Sequence, residues 1–260
     1  MIIDIHAHVF PEKIAEKASH GIQEFYNITV PYNGTVDKLI ELSDEAGVDK
    51  MVIHSPATTP HQVNSINNFI IECTKKYPDR IIGFMTMHPD FDDVNAEVER
   101  CAAAGLKGLK IHPDFQRFMI DDKKAYNIYE AISGRLPLLV HTGDYRYQWS
   151  KPSRMAAVMD DFPALQVIGA HFGGWSEWDD AAEVFSGKNI YVDSSSTMYK
   201  VPPEHIKELI RLYGADHVLF GTDYPMWDAK SELEHFEKLN LSASERELIF
   251  HENAESLLKL

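Results

Sequence analysis

Eight short apolar runs alternate with longer amphipathic segments along the whole chain, and this alternation is what most limits the fold. The runs are rich in Val, Ile and Leu, as expected for parallel strands that are buried on both faces. The sequence predicts strands at about 2–8, 50–54, 81–87, 107–112, 137–141, 166–171, 189–193 and 217–221. It predicts helices at about 36–47, 62–77, 93–104, 123–133, 152–162, 178–186, 203–213, 230–239 and 243–259. Eight strand–helix units in 260 residues predict an α/β fold, the (β/α)8 TIM barrel, as a single domain over residues 1–260.

A doubly wound open sheet would show the same alternation. Such sheets usually carry a glycine-rich phosphate-binding turn after the first strand, whereas this chain has His6-Ala7-His8 there. The sequence therefore favours the closed barrel.

The connection between the first strand and the first barrel helix, residues 9–35, is unusually long. Insertions of this length in a compact domain are often lids or binding loops. A peripheral helix without function, for which Glu12–Ser19 has the composition, is the alternative. The sequence does not separate the two.

Composition narrows the classes of partner. The net charge of -15 argues against nucleic acid, because binding phosphates needs clustered Lys and Arg. Cys73 and Cys101 do not suggest a disulfide framework. The chain shows no signal peptide and no apolar run of the roughly 18 to 20 residues that span a bilayer. We therefore expect a cytoplasmic protein that acts on a small molecule, without a nucleic-acid or membrane partner.

The first predicted strand carries two histidines, in the pattern His6-Ala7-His8. Side chains alternate across a strand, so both imidazoles project to one side, while Ile3, Ile5 and Ala7 project to the other. We expect the apolar side to pack on the helices and the histidines to face the barrel axis. Two imidazoles at i and i+2 can reach one metal ion, whereas both would be hard to satisfy as core residues.

Other polar residues fall at the carboxyl ends of later strands, the face on which barrel enzymes build their active sites. The histidines among them are His54, His88, His112, His141 and His171. Asp223 follows the eighth strand in Gly221-Thr222-Asp223, where a carboxylate could bind a metal or take a proton from water. These positions predict a metal centre at this end of the barrel.

Taken together, the His-x-His pattern, the histidines that end strands five and six and the Gly-Thr-Asp at strand eight resemble the signature of the amidohydrolase superfamily. The stretches 171–174 (His-Phe-Gly-Gly) and 221–225 (Gly-Thr-Asp-Tyr-Pro) are similar to those of the amidohydrolase-related branch, which includes the aminocarboxymuconate-semialdehyde decarboxylase-like proteins. The resemblance covers nearly the whole chain. It implies a divalent metal, usually zinc, with the ligands His6, His8, His141 and Asp223. It also implies that His171 orients or deprotonates water, or binds a second ion.

A divalent ion bound by neutral imidazoles and a carboxylate lowers the pKa of bound water from near 16 to about 7. We therefore expect a metal-dependent hydrolase that attacks an ester, lactone or amide with activated water, Asp223 and His171 transferring protons. A lyase that decarboxylates or hydrates an aromatic-derived or unsaturated acid is the alternative, because the fold does not fix the reaction. A non-catalytic metal-binding barrel is a third hypothesis.

Lys110 bears on the number of ions. Leu109 and Ile111 fit the helix-facing side, so Lys110 would point into the barrel, where an unpaired ammonium is costly. In two-metal members of the superfamily a lysine at the end of strand four is carbamylated and bridges the ions. We favour instead a lysine that pairs with a carboxylate or binds an anionic substrate. We thus expect one ion rather than two, with zinc ahead of manganese.

Aromatic residues follow the candidate ligands and predict an aromatic wall at the barrel mouth, suited to a small aromatic or carboxylate-bearing substrate. The candidates for this pocket are His54, His88, His112, Arg146, Trp149, Trp175 and Trp227. Arg146, like Lys151 and Arg154, could bind a substrate carboxylate. The alternatives are loop packing, a solvated helix start or a subunit interface. Members of the superfamily are often dimers or tetramers, so the resemblance implies a homo-oligomer.

Overall fold

The computed structural model describes residues 1–260, and its centre is one sheet of eight parallel strands that follow the order of the chain. The strands are Ile3–His8 (β1), Lys50–His54 (β2), Ile81–Thr86 (β3), Gly108–Ile111 (β4), Leu138–Val140 (β5), Val167–Gly169 (β6), Ile190–Asp193 (β7) and Val218–Leu219 (β8). Each strand pairs in parallel with the next, from β1 with β2 to β7 with β8.

Backbone hydrogen bonds close the sheet between its last and first strands. Asp223 N donates to His6 O at 2.8 Å, and His8 N donates to Tyr224 O at 2.7 Å. The sheet is therefore a closed barrel, and the prediction of a single-domain α/β barrel is confirmed.

Helices cover the outside of the barrel. They are Glu12–Tyr26 (α1), Val36–Ala46 (α2), Val63–Lys76 (α3), Val94–Ala103 (α4), Pro113–Gln116 (α5), Tyr126–Ile132 (α6), Pro152–Asp161 (α7), Trp178–Phe185 (α8), Pro203–Tyr213 (α9), Ala229–Glu237 (α10), Ala243–Glu247 (α11) and Asn253–Leu258 (α12). Asp93 caps α4 by accepting a hydrogen bond from Ala96 N at 3.1 Å, and Gly47, with φ 73°, ends α2. None of the helices combines the length and apolarity needed to cross a membrane.

Several features differ from the predicted elements, among them the short helix α5, which was not predicted. A π-helical turn at Leu248–Glu252 separates α11 from α12, where one helix was predicted. Strands β5, β6 and β8 are shorter than predicted, because the residues that follow them turn into the barrel mouth. His171 and Asp223 leave the sheet with left-handed φ angles of 59° and 64°.

An irregularity in β1 changes which of its residues face the barrel axis. Ile3 and Ile5 belong to an interior cluster with side chains of five other strands and of α12, whereas Ala7 packs in the larger cluster shared with the helices. The prediction that Ile3 and Ile5 pack on the helices around the barrel is therefore wrong, since α12 is the one helix that contributes to their cluster. The register against β2 shifts between Asp4 and Ala7, which interrupts the strict alternation of side chains.

Candidate active site

Three of the predicted metal ligands converge at the carboxyl end of the barrel. His6 Nε2 and His8 Nε2 lie 3.2 Å apart, and each lies 3.3 Å from Asp223 Oδ1. All three side chains are buried. The histidines come from β1, and the carboxylate comes from the turn that follows β8, so the seam of the barrel brings them together.

Asp193, the last residue of β7, fixes the orientation of His6. Its Oδ2 lies 2.8 Å from His6 Nδ1, and its Oδ1 accepts hydrogen bonds from His171 N at 3.1 Å and Ser195 N at 3.0 Å. Because His6 Nδ1–H donates to Asp193, the lone pair of Nε2 points toward His8 and Asp223. Burial, with the nearby ammonium of Lys110, lowers the pKa of His6 well below its usual range, so the imidazole is neutral and can bind a cation.

His171 and His141 form a pair beside these three residues. His171 Nε2 lies 3.1 Å from His141 Nδ1, and His171 Nδ1 lies 3.9 Å from Asp223 Oδ2. His141 Nε2 lies 3.4 Å from Asp114 Oδ2, which Ser150 also contacts at 2.7 Å. His141 is thus connected to the other candidate ligands through its contact with His171, and it does not itself join His6, His8 and Asp223.

Lys110 points into the barrel, as the alternation in β4 predicts. It is fully buried, and its Nζ lies 3.2 Å from His6 Nε2. Burial lowers the pKa of its ammonium group to about 8. No carboxylate oxygen lies within 4.0 Å of Nζ, so the expected pairing with a carboxylate is not formed.

The three other strand-end histidines have different surroundings. His54 meets the rings of His6 and His8 edge-on, and neither of its nitrogens has a hydrogen-bond partner. His112 stacks on His141, with ring centroids 3.9 Å apart. His88 makes one hydrogen bond, which it accepts from Asp90 N at 3.1 Å. This favours the interpretation that His88 stabilises its loop rather than lining the pocket. Besides His6, His8 and Asp223, three other sets have ligand atoms within 4.8 Å of one another: His6, His8 and His54; His6, His171 and Asp193; His112, Asp114 and His141.

The aromatic wall is only partly as predicted. Trp175 lines a cavity at the site together with Tyr199. Trp227 stacks on Tyr199 with centroids 4.5 Å apart, and its Nε1 donates to Ser196 Oγ at 2.9 Å. Trp149 instead stacks on Tyr147, at 5.0 Å, in an outer loop, and it does not line the cavities at the site.

The basic residues that could have bound a substrate carboxylate are engaged with protein groups. Arg146 Nη2 lies 2.7 Å from Asp144 Oδ2, and its Nη1 donates to Phe25 O at 2.7 Å. Lys151 pairs with Glu177, and Arg154 pairs with Asp121. Arg146 instead links the end of α1 to the loop after β5 through these hydrogen bonds.

The insertion after β1 covers the site. It is a helix, α1, that extends beyond the Glu12–Ser19 segment expected from composition. At its end, Tyr26 Oη lies 2.9 Å from His112 Nε2, and its ring lies 5.0 Å from that of Trp175. Burial, with the charges of Asp223 and Asp114, raises the pKa of Tyr26 well above its usual range, so the phenol stays protonated. Of the two alternatives for the insertion, the structure supports a covering element.

Two small cavities lie beneath α1, each with room for about one water molecule. Both are lined by Tyr26, His171, Asp223 and Met226. The site is thus enclosed, and it combines a few polar groups with an apolar wall.

Four residues of the site were missed or left without a role in the sequence analysis. Asp193 and Ser195 hold His6 and His171, and Ser196 donates a hydrogen bond to Asp223 Oδ2. Their position at the end of a barrel strand was the available signal. Tyr26 lies far along the sequence from any strand end, and no sequence pattern predicts that it folds over the site.

The residues present fit a divalent metal. Metal–ligand bonds of about 2.0–2.2 Å place the ligand atoms of a tetrahedral ion roughly 3.3 Å or slightly more apart, close to the observed separations among His6 Nε2, His8 Nε2 and Asp223 Oδ1. Asp223 Oδ1 is buried and receives no hydrogen bond. This oxygen and the lone pair of His6 Nε2 lie 3.3 Å apart and repel each other, whereas a cation bound between them would attract both.

The fold and the site define a (β/α)8-barrel protein with a histidine- and carboxylate-lined centre at the carboxyl ends of its strands. The chain belongs to the amidohydrolase family, since a family model described as amidohydrolase matches residues 3–260. This match confirms the resemblance found in the sequence.

Several proteins that are similar to this chain are decarboxylases. The γ-resorcylate decarboxylase of Polaromonas sp. is 23% identical over 288 residues, which cover 86% of this chain and 87% of the relative. The structure is similar to a Polaromonas dihydroxybenzoic acid decarboxylase with bound manganese and the inhibitor 2-nitroresorcinol (TM-score 0.75, 20% identity, 100% and 97% of the two chains). It is also similar to the 5-carboxyvanillate decarboxylase of Novosphingobium aromaticivorans complexed with manganese and 4-hydroxy-3-methoxy-5-nitrobenzoic acid (TM-score 0.78, 20% identity, 100% and 96%).

Proposed function

We propose that this protein is a metal-dependent, non-oxidative decarboxylase of a small aromatic carboxylic acid. The observation that carries the proposal is the convergence of His6 Nε2, His8 Nε2 and Asp223 Oδ1 beneath an enclosing aromatic wall. Family membership and the decarboxylase activity of the named relatives favour the lyase alternative over the hydrolase that the sequence analysis put first.

His6, His8 and Asp223 would hold the divalent ion. The family resemblance adds His141, whose nitrogens in this structure face His171 and Asp114 instead. Bound there, the ion would supply a positive charge that fixes an anionic substrate and withdraws electrons from it. Manganese, the second choice from sequence, is the ion named with two of the structural relatives. We therefore propose manganese ahead of zinc, with one ion per chain.

Side chains of the protein would transfer one proton during the reaction. Decarboxylation replaces the ring carbon–carboxylate bond with a carbon–hydrogen bond, so one proton must reach the ring carbon as CO2 leaves. Asp223 and His171 both line the two cavities, and Asp223 Oδ2 lies 3.9 Å from His171 Nδ1. We assign the proton transfer to this pair. Burial alone would raise the pKa of Asp223, but its histidine neighbours hold that pKa well below its usual range, so Asp223 rests as a carboxylate that would accept a proton and pass it on, oriented by the hydrogen bond that Ser196 donates to Oδ2. The cover formed by α1 and Trp175 excludes water from the carbon that is protonated.

The proposal predicts that manganese-loaded protein releases CO2 from 2,6-dihydroxybenzoate or 5-carboxyvanillate. Release is measured by mass spectrometry with a 13C-labelled carboxyl group. Chelator-treated protein should be slower by at least about a hundredfold, because the charge that fixes the substrate is lost. Re-addition of manganese should restore the rate, and elemental analysis should show about one ion per chain.

Hydrolysis of an ester or lactone panel by the same preparation, without CO2 release from either acid, would reject the lyase proposal in favour of the hydrolase. Metal binding without turnover of any of these compounds would favour the non-catalytic barrel.

Lys110 provides a separate test of the number of ions. A Lys110→Met variant keeps the length of the side chain and removes the ammonium group that lies beside His6 Nε2. We expect an unchanged ratio of metal to protein and equal or tighter metal binding, because a nearby positive charge is removed. Elemental analysis and competition with a chelator measure both quantities. A fall in metal content would instead indicate that a carbamylated Lys110 bridges two ions.

A further inference from the structure

Tyr26, at the end of α1, uses only part of its hydrogen-bonding capacity. Its Oη lies 2.9 Å from His112 Nε2. His112 Nδ1 accepts a hydrogen bond from Phe115 N at 3.3 Å, so this nitrogen carries no proton. The proton of the ring must then be on Nε2, which donates it to Tyr26 Oη.

This arrangement leaves the hydroxyl hydrogen of Tyr26 without an acceptor in the protein. The side chain makes no other hydrogen bond, and it lines both cavities together with His171 and Asp223. A donor that is enclosed without an acceptor costs free energy. An oxygen of a bound ligand would satisfy it.

The donor is also held in place before any ligand arrives. Arg146 Nη1 donates to the carbonyl of Phe25, and the Tyr26 ring packs against Trp175 at 5.0 Å and Phe115 at 5.8 Å. These contacts fix the ring in the closed site, and because each cavity there holds only about one water molecule, part of the cover must move to admit an aromatic acid. Because Arg146 and Lys151 are paired with carboxylates of the protein, Tyr26 is a donor that remains free for the ligand.

We propose that Tyr26 is a substrate-binding residue that determines specificity. Its hydroxyl group donates a hydrogen bond to an anionic or hydroxyl oxygen of the aromatic acid, and His112 presents it in that orientation. The choice of an aromatic acid rests on the proposed function. The assignment gives the inserted helix a direct part in recognition, in addition to covering the site.

The test is a calorimetric titration of manganese-loaded Tyr26→Phe with benzoate and with 2-hydroxybenzoate. Phenylalanine keeps the ring contacts and removes only the donor. We expect the variant to bind about ten- to a hundredfold more weakly than the unaltered protein, as for loss of a hydrogen bond to a charged group. Metal content should not change. Tyr145→Phe, which alters an exposed tyrosine of a neighbouring loop, should bind both acids normally.

The two ligands distinguish which oxygen is recognised. Weaker binding of both acids assigns Tyr26 to the carboxylate, and weaker binding of 2-hydroxybenzoate alone assigns it to the ring hydroxyl. Unchanged affinity for both acids overturns the assignment. If the unaltered protein binds them without releasing CO2 from any aromatic acid, the decarboxylase proposal fails while the Tyr26 result stands. If it binds neither acid, the assignment of Tyr26 fails, whereas CO2 release from 2,6-dihydroxybenzoate or 5-carboxyvanillate still decides the decarboxylase proposal.

Discussion

Replacing His6 and His8 together with alanine is expected to abolish metal binding and turnover while the barrel stays folded. Structural zinc sites with four ligands have binding free energies of about 10–16 kcal/mol, or roughly 3 kcal/mol per ligand. With this zinc value as an upper limit, the loss of two ligands should weaken metal binding by up to about four orders of magnitude. Elemental analysis measures the metal, and circular dichroism and a melting curve report the fold. The fold should persist because the interior cluster below the histidines is made of other side chains.

The matched control is His88→Ala. His88 is also a buried histidine just beyond a barrel strand, but its one hydrogen bond is to Asp90 N in its own loop. This variant should keep its metal. Stoichiometric metal in the double variant, or equal loss from both variants, would contradict the assignment of His6 and His8 as ligands.

Asp223→Asn should lower kcat by about a thousandfold or more, and metal affinity by a smaller factor. Asparagine keeps the shape of the side chain, but it can neither accept and return a proton nor bring a negative charge to His6 and His8. Metal binding should survive in part because the imidazoles remain. Turnover at saturating manganese, compared with the metal dissociation constant, separates the two effects.

Asp216→Asn is the control for this variant. Asp216 precedes β8 and is exposed, whereas Asp223 follows β8 and is buried, so the same change is made near opposite ends of one strand. The Asp216 variant should retain its activity. An Asp223→Asn protein with full activity would remove Asp223 from the proton transfer, and His171 would be left as the candidate donor.

The parts of the site that lie at predictable positions on strands could be inferred from the sequence. His6, His8 and Asp223 follow from the two-residue period of a strand and from the rule that barrel sites form at carboxyl ends. The same reasoning failed for Ile3 and Ile5, because the register shift in β1 is a local irregularity that strict alternation does not contain.

Contacts between distant segments could not be inferred. Tyr26 reaches His112 only because α1 folds back over the barrel, and its place in a helix gives no signal of that direction. The sequence was compatible with Arg146 binding a substrate carboxylate, but in the structure Arg146 pairs with Asp144. The sequence shows which charged residues are present. Which of them form ion pairs depends on the conformations of loops, and loops have no periodic pattern from which a conformation could be predicted.

The seam between β1 and β8 makes the two ends of the chain depend on each other. Asp4 and Thr222, which are 218 residues apart, are hydrogen-bonded beside the converging ligands. The candidate centre therefore cannot exist in any fragment that lacks either end, and during synthesis it can form only after Asp223 has left the ribosome. A metal ion bound across this seam would select the completed barrel, adding about 2.7 kcal/mol to its stability when free metal exceeds the dissociation constant a hundredfold. Metal supply would then govern the lifetime of the protein as well as its activity.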